Sequence, residues 1–163
     1  MKFPRYSPAC GALAAFLVGA ASVSAQEQEI PCDDVPGAVR AAFEKAYPKA
    51  TVNACAQEVE AGETVYEIAS TEGETGRDVL FRADGGLILV EETVALGDVP
   101  DPVRQALHNG YPDGEVTLAE KIVRDATVLY EFRVKDRGGL EEIVFDSGGK
   151  EVEHKSGEEV EQQ

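Results

Sequence analysis

Basic residues are scarce in this chain of 163 residues. It has 15 Lys and Arg against 31 Asp and Glu, which gives a formal net charge of −16 at pH 7. Because binding to nucleic acid depends on Lys and Arg contacts with phosphate, this balance argues against a DNA- or RNA-binding protein. The acidity also has a simpler explanation, since net charge keeps a protein soluble.

Residues that commonly carry catalysis are also few. The two histidines are His108 and His154, and the sequence has neither a His-Glu-x-x-His zinc motif nor a Gly-x-Ser-x-Gly nucleophile elbow. The Asp84-Gly85-Gly86 segment lacks the alternating oxygen ligands of an EF-hand loop. We therefore predict a protein that is not an enzyme and that has no cofactor and no dedicated metal site.

The N-terminal apolar run is too short to span a membrane. It extends from Ala9 to Val23, whereas a spanning helix needs about 20 residues. Lys2 and Arg5 precede it and small residues up to Ala25 follow it, a pattern typical of a secretory signal. We predict a signal peptide over residues 1–25, cleaved after Ala25, and a periplasmic or secreted protein with no membrane insertion. The alternative is an uncleaved anchor.

Tryptophan is absent, and only three cysteines occur. Cys10 lies in the predicted signal, so Cys32 and Cys55 remain. An even number in an exported chain favours a disulfide between them, because oxidising compartments permit one, and the alternative is two buried free thiols. Neither belongs to a Cys-x-x-Cys motif, which argues against a redox or zinc role.

The rest of the chain repeats itself with an offset of 64 residues. The tripeptide Asp34-Val35-Pro36 recurs as Asp98-Val99-Pro100, and Tyr47-Pro48 recurs as Tyr111-Pro112. Further matches keep this register without a gap, which indicates a tandem duplication. We place a first unit at 33–96, a second unit at 97–154 and a loose C-terminal tail at 155–163.

Each copy predicts one helix followed by four strands. In the first copy, apolar residues from Val39 to Tyr47 recur at helical spacing before Pro48. Turn residues then separate short segments with alternating side chains. The predicted fold class is therefore α+β, with two tandem units, each one helix packed on a four-stranded antiparallel sheet. The predicted strands are Thr51–Glu60, Thr64–Ser70, Arg77–Arg82, Leu87–Val94, Glu115–Arg124, Thr127–Lys135, Leu140–Phe145 and Glu151–His154.

Alternation assigns residues to two faces of the sheet, except in the first strand of each unit, where it is irregular and no faces are assigned. Tyr66, Ile68 and Tyr130 belong to the face that we expect the helices to cover. We expect the opposite face to be exposed and to bind a partner, because aliphatic residues interleaved with charges suit a protein interface. The alternative is that the two faces merge into one sheet or pack together. The candidate binding residues are Val65, Glu67, Leu80, Arg82, Leu129, Glu131, Arg133 and Val144.

These motifs resemble the PepSY-like family, also described as beta-lactamase-inhibitor-like, over about residues 33–153. The matching segments are Val35-Pro36, Tyr47-Pro48, Val65-Tyr66-Glu67-Ile68 and the stretch from Val79 to Gly86. The resemblance implies small, exported, noncatalytic domains that bind or inhibit other proteins. We therefore predict a binding module for a protein or peptide of the cell envelope or the exterior, with inhibition as one outcome. The alternative is an envelope protein that scavenges small ligands or cations.

Overall fold

The computed structural model describes residues 27–156, which form one antiparallel sheet and two short helices. The nine strands are hydrogen-bonded in the order in which they occur in the chain. The helices are α1 (Gly37–Ala46) and α2 (Asp101–Gly110). The strands are β1 (Gln28–Glu29), β2 (Thr51–Glu60), β3 (Glu63–Glu72), β4 (Thr75–Arg82), β5 (Leu87–Thr93), β6 (Glu115–Arg124), β7 (Thr127–Asp136), β8 (Gly139–Asp146) and β9 (Glu151–Ser156).

The sheet continues across the repeat boundary, which corrects the predicted fold class. β5 pairs with β6 from Val90↔Val123 to Thr93↔Glu120. The prediction of two units, each with a helix on its own four-stranded sheet, is therefore wrong, because the strands of both copies belong to one nine-stranded sheet. Separate sheets would have left β5 and β6 as open edges, and their pairing satisfies backbone N–H and C=O groups that would otherwise lack partners.

Residues outside the two predicted units extend the sheet at both ends. Gln28 and Glu29 form β1 and pair with β2. Lys155 and Ser156, which we placed in the tail, are the last residues of β9 and pair with β8. The predicted signal peptide lies outside the described residues. Among residues 27–156, neither helix has the length and apolar character needed to cross a bilayer.

The two helices cover the same face of the sheet. Val39 and Phe43 of α1 pack in one core cluster, and Val103 and Leu107 of α2 pack in another. A cross-strand row that runs through Val79, Val90, Val123 and Val128 joins the strands beneath them. The predicted division of faces is confirmed on this side, since these clusters also contain Tyr66, Ile68, Phe81, Tyr130, Phe132, Val134, Ile143 and Phe145.

The predicted disulfide is confirmed. Cys32 and Cys55 are bonded, and their Cα atoms are 5.2 Å apart. Cys32 lies in a short 3-10 turn before α1, and Cys55 is a buried residue of β2. The bond therefore fixes the start of the first helix to the sheet.

Two glycines allow hairpin turns to approach the helices closely. Gly85 and Gly149 have φ values of +86° and +84°, a region that favours glycine. A Cβ atom on Gly85 would lie 2.7 Å from the Ala38 carbonyl oxygen, and one on Gly149 would lie 2.5 Å from that of Pro102. The Asp-Gly-Gly and Ser-Gly-Gly turns thus hold the helices against the sheet as well as reversing the chain.

Candidate functional site: the concave face of the sheet

The sheet face that carries no helix is curled into a concave surface. Arg124 Nη2 lies 3.8 Å from Glu60 Oε1, although β6 and β2 are separated by three intervening strands. Four inter-strand spacings in a flat sheet would separate these strands by about 19 Å. Their side chains can meet only because the sheet curls toward this side, so we call it the concave face.

Acidic residues line the concave face on both sides of the β5–β6 seam. Asp78 of β4 stands directly opposite Glu91 of β5, and Glu120 of β6 stands directly opposite Glu131 of β7. Glu91 is paired with Ile122 across the seam, which makes Glu120 its diagonal neighbour. Like charges directly opposite each other destabilise a sheet. We refer to these four residues and Glu67 of β3 as the seam carboxylates.

Four of the seam carboxylates are buried without a polar partner. Glu67, Glu91, Glu120 and Glu131 are 8%, 6%, 6% and 4% exposed. None of them has a hydrogen bond or ion pair to another residue within 27–156. In that range, Glu58 Oε1 is the one carboxylate oxygen that is both sealed from solvent and without a hydrogen bond. The oxygens of the four seam residues therefore still reach solvent at the floor of the concave face.

Burial and mutual repulsion strongly favour the neutral form of these groups. Burial is the main cause that raises the pKa of Glu67 and of Glu131 to about 8 and that of Glu120 to about 7. The pKa of Asp78 rises to about 6 for the same reason, and burial followed by the nearby Glu131 raises the pKa of Glu91 well above its usual value. A cation placed here would reverse the effect by stabilising the ionised carboxylates.

The distal part of the concave face shows such compensation within the chain itself. Glu142 of β8 is 2% exposed, yet its Oε1 accepts a hydrogen bond from Lys155 Nζ at 2.9 Å. Its Oε2 accepts one from Arg133 Nε at 3.4 Å. A buried carboxylate is tolerated when it is paired and hydrogen-bonded in this way.

Most of the predicted binding residues lie on the concave face but are not exposed. Val65, Leu80, Leu129 and Val144 are each 4% exposed or less, because the curl of the sheet packs neighbouring side chains together. Our expectation of an exposed face is therefore wrong for these residues, and for Glu67 and Glu131 also. Arg82 is exposed at the rim, and half-buried Arg133 is the partner of Glu142.

Sequence reasoning missed Asp78, Glu91 and Glu120. Asp78 and Glu91 lie in predicted strands, whereas Glu120 lies in the first strand of the second unit, whose irregular alternation gave no assignment of faces. The proximity of Glu120 to Asp78 and Glu91 depends on the pairing of β5 with β6, which no local pattern reported. The repeat offset relates Asp78 to Glu142 and Glu91 to Lys155. The acidic side chain of Glu91 therefore corresponds to a basic one in the second copy, and this difference in charge was a usable signal.

The sequence matches a known protein family over most of its length. The sequence profile described as "Putative beta-lactamase-inhibitor-like, PepSY-like" matches residues 21–89 and again 71–152. The chain belongs to this PepSY-like family. No curated protein matches the sequence.

Solved structures share the fold of this PepSY-like chain at low sequence identity. A "putative periplasmic protein" from Bacteroides eggerthii has a TM-score of 0.64 at 19% identity, covering 74% of this chain and 88% of that one. A DUF2874 family protein from Bacteroides ovatus has a TM-score of 0.59 at 19% identity, with coverages of 74% and 86%. A BLIP-like protein from Bacteroides fragilis has a TM-score of 0.58 at 20% identity, with coverages of 77% and 86%.

No group of three or more His, Cys, Asp and Glu side chains between residues 27 and 156 is arranged to hold a metal ion. His154 Nε2 lies 3.3 Å from the Tyr111 hydroxyl and 2.9 Å from Glu141 Oε2, so one ring nitrogen faces both groups. The other ring nitrogen, Nδ1, lies 3.8 Å from Glu151 Oε1.

Proposed function

We propose that this PepSY-like protein is an exported, noncatalytic binding module that engages a protein or peptide through its concave sheet face. The observation that carries the proposal is the unusual floor of that face, where carboxylates without polar partners alternate with aliphatic side chains. Such groups cost free energy in the isolated chain. A partner that supplies donors to them and covers the aliphatic residues would remove that cost.

Its location outside the cytoplasm is part of the same proposal. A basic start followed by a short apolar run and small residues opens the sequence. The disulfide between Cys32 and Cys55 suits an oxidising compartment. The structural relative from Bacteroides eggerthii is described as periplasmic. These observations support export to the periplasm or beyond the cell.

The proposal is tested by capturing a partner from a cell-envelope extract and then mapping its contacts. The purified partner is added to protein with 13C-labelled methyl groups. Methyl signals of Val65, Leu80 and Val144 on the concave face should shift more than those of Val39 in α1 and Val103 in α2, which pack against the opposite face. Shifts concentrated on the residues of α1 and α2 would show that the helices form the site.

A pair of double variants, each with two Glu→Gln substitutions, separates the concave face from general acidity. Glu67→Gln with Glu131→Gln removes two buried carboxylates while preserving side-chain shape. Glu44→Gln with Glu74→Gln removes two exposed carboxylates elsewhere. We expect only the first pair to change the affinity for the captured partner, by at least tenfold. Equal effects from both pairs would mean that the partner responds to net charge alone.

A further inference from the structure

Equivalent carboxylates have basic neighbours in one half of the concave face and lack them in the other. In the second half, buried Glu142 stands opposite Lys155 in the β8–β9 ladder and opposite Arg133 in the β7–β8 ladder. The repeat offset places Asp78 at the position of Glu142. Asp78 stands opposite Glu91 and Ala69, which occupy the positions of Lys155 and Arg133. Both cations of the second half are therefore missing from the first.

We propose that the concave face beside Asp78 and Glu91 binds a lysine or arginine side chain projected by a protein partner, in the place that Lys155 fills in the second half. This inference rests on the proposed function and adds the chemistry of the partner. The second half of the same chain shows that this backbone geometry accommodates a long basic side chain against a buried carboxylate, with an Nζ to Oε1 distance of 2.9 Å.

A basic side chain on a partner fits this place better than a metal ion. The carboxylates approach from separate strands, and no set of three within 27–156 has the geometry to hold a metal. Leu80 and Leu89, which lie side by side in the same ladder, form an aliphatic cluster with Val65. Long basic side chains lay their methylene stems along apolar surface while the charged end reaches polar groups.

Within residues 27–156, no lysine or arginine forms an ion pair with a seam carboxylate. Residues 157–163 contain three glutamates and no basic residue, so this segment would be repelled by the seam carboxylates. A second copy of the chain carries the same net charge of −16, which opposes self-association through this face. Charge complementarity therefore points to a different protein with a basic contact residue.

The first experiment uses two blocked peptides that differ in one atom group. The probes are Ac-Gly-Leu-Lys-Leu-Gly-NH2 and the same peptide with uncharged norleucine in place of lysine. Each is titrated into methyl-labelled full-length protein at pH 7 and low salt. We expect saturable shifts of the Leu80 and Leu89 methyl signals with the lysine peptide only. Equal shifts with both peptides, or none with either, would overturn the proposal.

Variants at Glu91 and at an exposed site decide whether the effect is local. Glu91→Lys places a lysine opposite Asp78, as Lys155 stands opposite Glu142. We expect this variant to bind the lysine peptide at least tenfold more weakly. Glu44→Lys makes the same charge change on the exposed side of α1 and should alter binding less than twofold. Equal losses in both variants would show attraction by net charge and overturn the proposal.

Folding of the variant is a separate readout of the same idea. Because the new lysine would pair with Asp78 inside the chain, we expect the melting temperature of Glu91→Lys at pH 8 to exceed that of the starting protein. If Glu91→Lys fails to fold, Glu91→Gln is used in its place, since it removes one carboxylate without adding a positive charge. Glu91→Gln should weaken binding of the lysine peptide severalfold, and unchanged affinity would overturn the proposal.

Proton release gives a signature that general charge attraction would not produce. A cation at the seam should lower the pKa of the seam carboxylates, so binding at pH 7 should release protons, measurable by calorimetry in buffers of different ionisation enthalpy. Binding without proton release would count against the site. Calcium chloride serves as a control. If it shifts the Leu80 and Leu89 signals and the lysine peptide does not, the site binds a metal ion and the proposal of a basic side chain is overturned.

The captured partner separates failure of this inference from failure of the proposed function. If the partner shifts the concave methyl signals but its affinity is unaffected by Glu91→Lys, the concave face stands as the binding site and the basic contact is wrong. If the partner shifts only helix residues, the proposed function is wrong, whatever the lysine peptide does.

Discussion

The two halves of the protein share every helix and long strand at the same offset, yet they differ around the tyrosine that follows each helix. In the first half, the guanidinium carbon of Arg77 lies 4.1 Å from the centre of the Tyr47 ring. Arg77 Nε also donates a hydrogen bond to Glu92 Oε1 at 2.6 Å. A cation held between an aromatic ring and a carboxylate closes this end of the helix-covered face.

In the second half, the corresponding tyrosine has a different polar neighbour. Glu141 occupies the position of Arg77, and His154 contacts both the Tyr111 hydroxyl and Glu141. The apolar part of the tyrosine packs in the same way in both halves, but the polar groups around it have changed identity and sign. Duplication has therefore preserved the positions that pack the core, while positions at the edge and on the concave face have diverged.

The comparison of the halves is tested most strongly by a cavity in one of them. Phe132 is fully buried, and its ring centre lies 6.0 Å from that of Phe145. Phe132→Ala should lower the free energy of unfolding by about 3–5 kcal/mol. Because β5 pairs with β6, we expect both halves to unfold together, with circular dichroism and tyrosine fluorescence giving coincident urea transitions.

Exposed Val59 offers a matched surface control for this cavity. Val59 is 55% exposed, so Val59→Ala should change stability by less than about 0.5 kcal/mol. Two separate transitions in Phe132→Ala would show that the halves unfold independently in spite of the continuous sheet.

The disulfide is present in the first half and has no counterpart in the second. Replacing both Cys32 and Cys55 with alanine should lower the free energy of unfolding by about 3 kcal/mol in the chain-entropy account of a loop this long. The measurement is urea denaturation of the double variant beside the oxidised protein. Reduced protein should behave like the double variant. If the free energies of unfolding of the oxidised protein and the double variant differ by less than about 0.5 kcal/mol, the crosslink contributes little.

The close approach of turn and helix is tested by two glycines with the same backbone conformation. Gly149 and Gly62 have similar φ values of +84° and +87°. A Cβ atom on Gly149 would lie 2.5 Å from the Pro102 carbonyl oxygen, whereas a Cβ atom on Gly62 would have no atom within 4 Å. Gly149→Ala should therefore cost about 1–3 kcal/mol more than Gly62→Ala, since the shared strain cancels and overpacking remains. Thermal melting of both variants checks this, and equal losses would show that the turn can move away from α2.

The pH dependence of stability tests the seam carboxylates. Their pKa values are raised in the folded state, so the folded protein holds protons that the unfolded chain releases. That stability is fully present below the unfolded value near 4.5 and is lost as the pH rises through the folded values of about 7 for Glu120 and about 8 for Glu67 and Glu131. The melting temperature should therefore fall between about pH 4.5 and pH 8.

One substitution isolates the seam from the rest of the acidic surface. Arg133 and Lys155, the basic residues that lower the pKa of Glu131, are already engaged by Glu142. Glu67→Gln should therefore raise stability at pH 8 by at least about 1.4 kcal/mol, the equivalent of one pKa unit, and should flatten the pH profile. Glu44→Gln, on the exposed side of α1, should leave the profile unchanged. A melting temperature that rises steadily from pH 5 to pH 8 would contradict the burial of ionisable acids at the seam.

The candidate site was partly predictable. Alternation placed Glu67 and Glu131 on the face opposite the helices, and the structure agrees with that placement. The prediction that this face is exposed was wrong, since Val65 and Leu129 are 2% and 4% exposed. Alternation reports which side of a strand a residue faces, but burial on that side depends on how strongly the whole sheet curls.

The sequence by itself determined the repeat, the order of the two helices and the eight longer strands, and the two faces of the later strands in each copy, and it favoured the pairing of Cys32 with Cys55. These features follow from turn residues, side-chain periods and cysteine parity, all of which act over short stretches or by simple counting. The tertiary structure alone decided that β5 joins β6 and that the nine strands curl into one concave face. Edge pairing and curvature bring Asp78, Glu91 and Glu120 together, and they depend on contacts between distant strands that no local period can report.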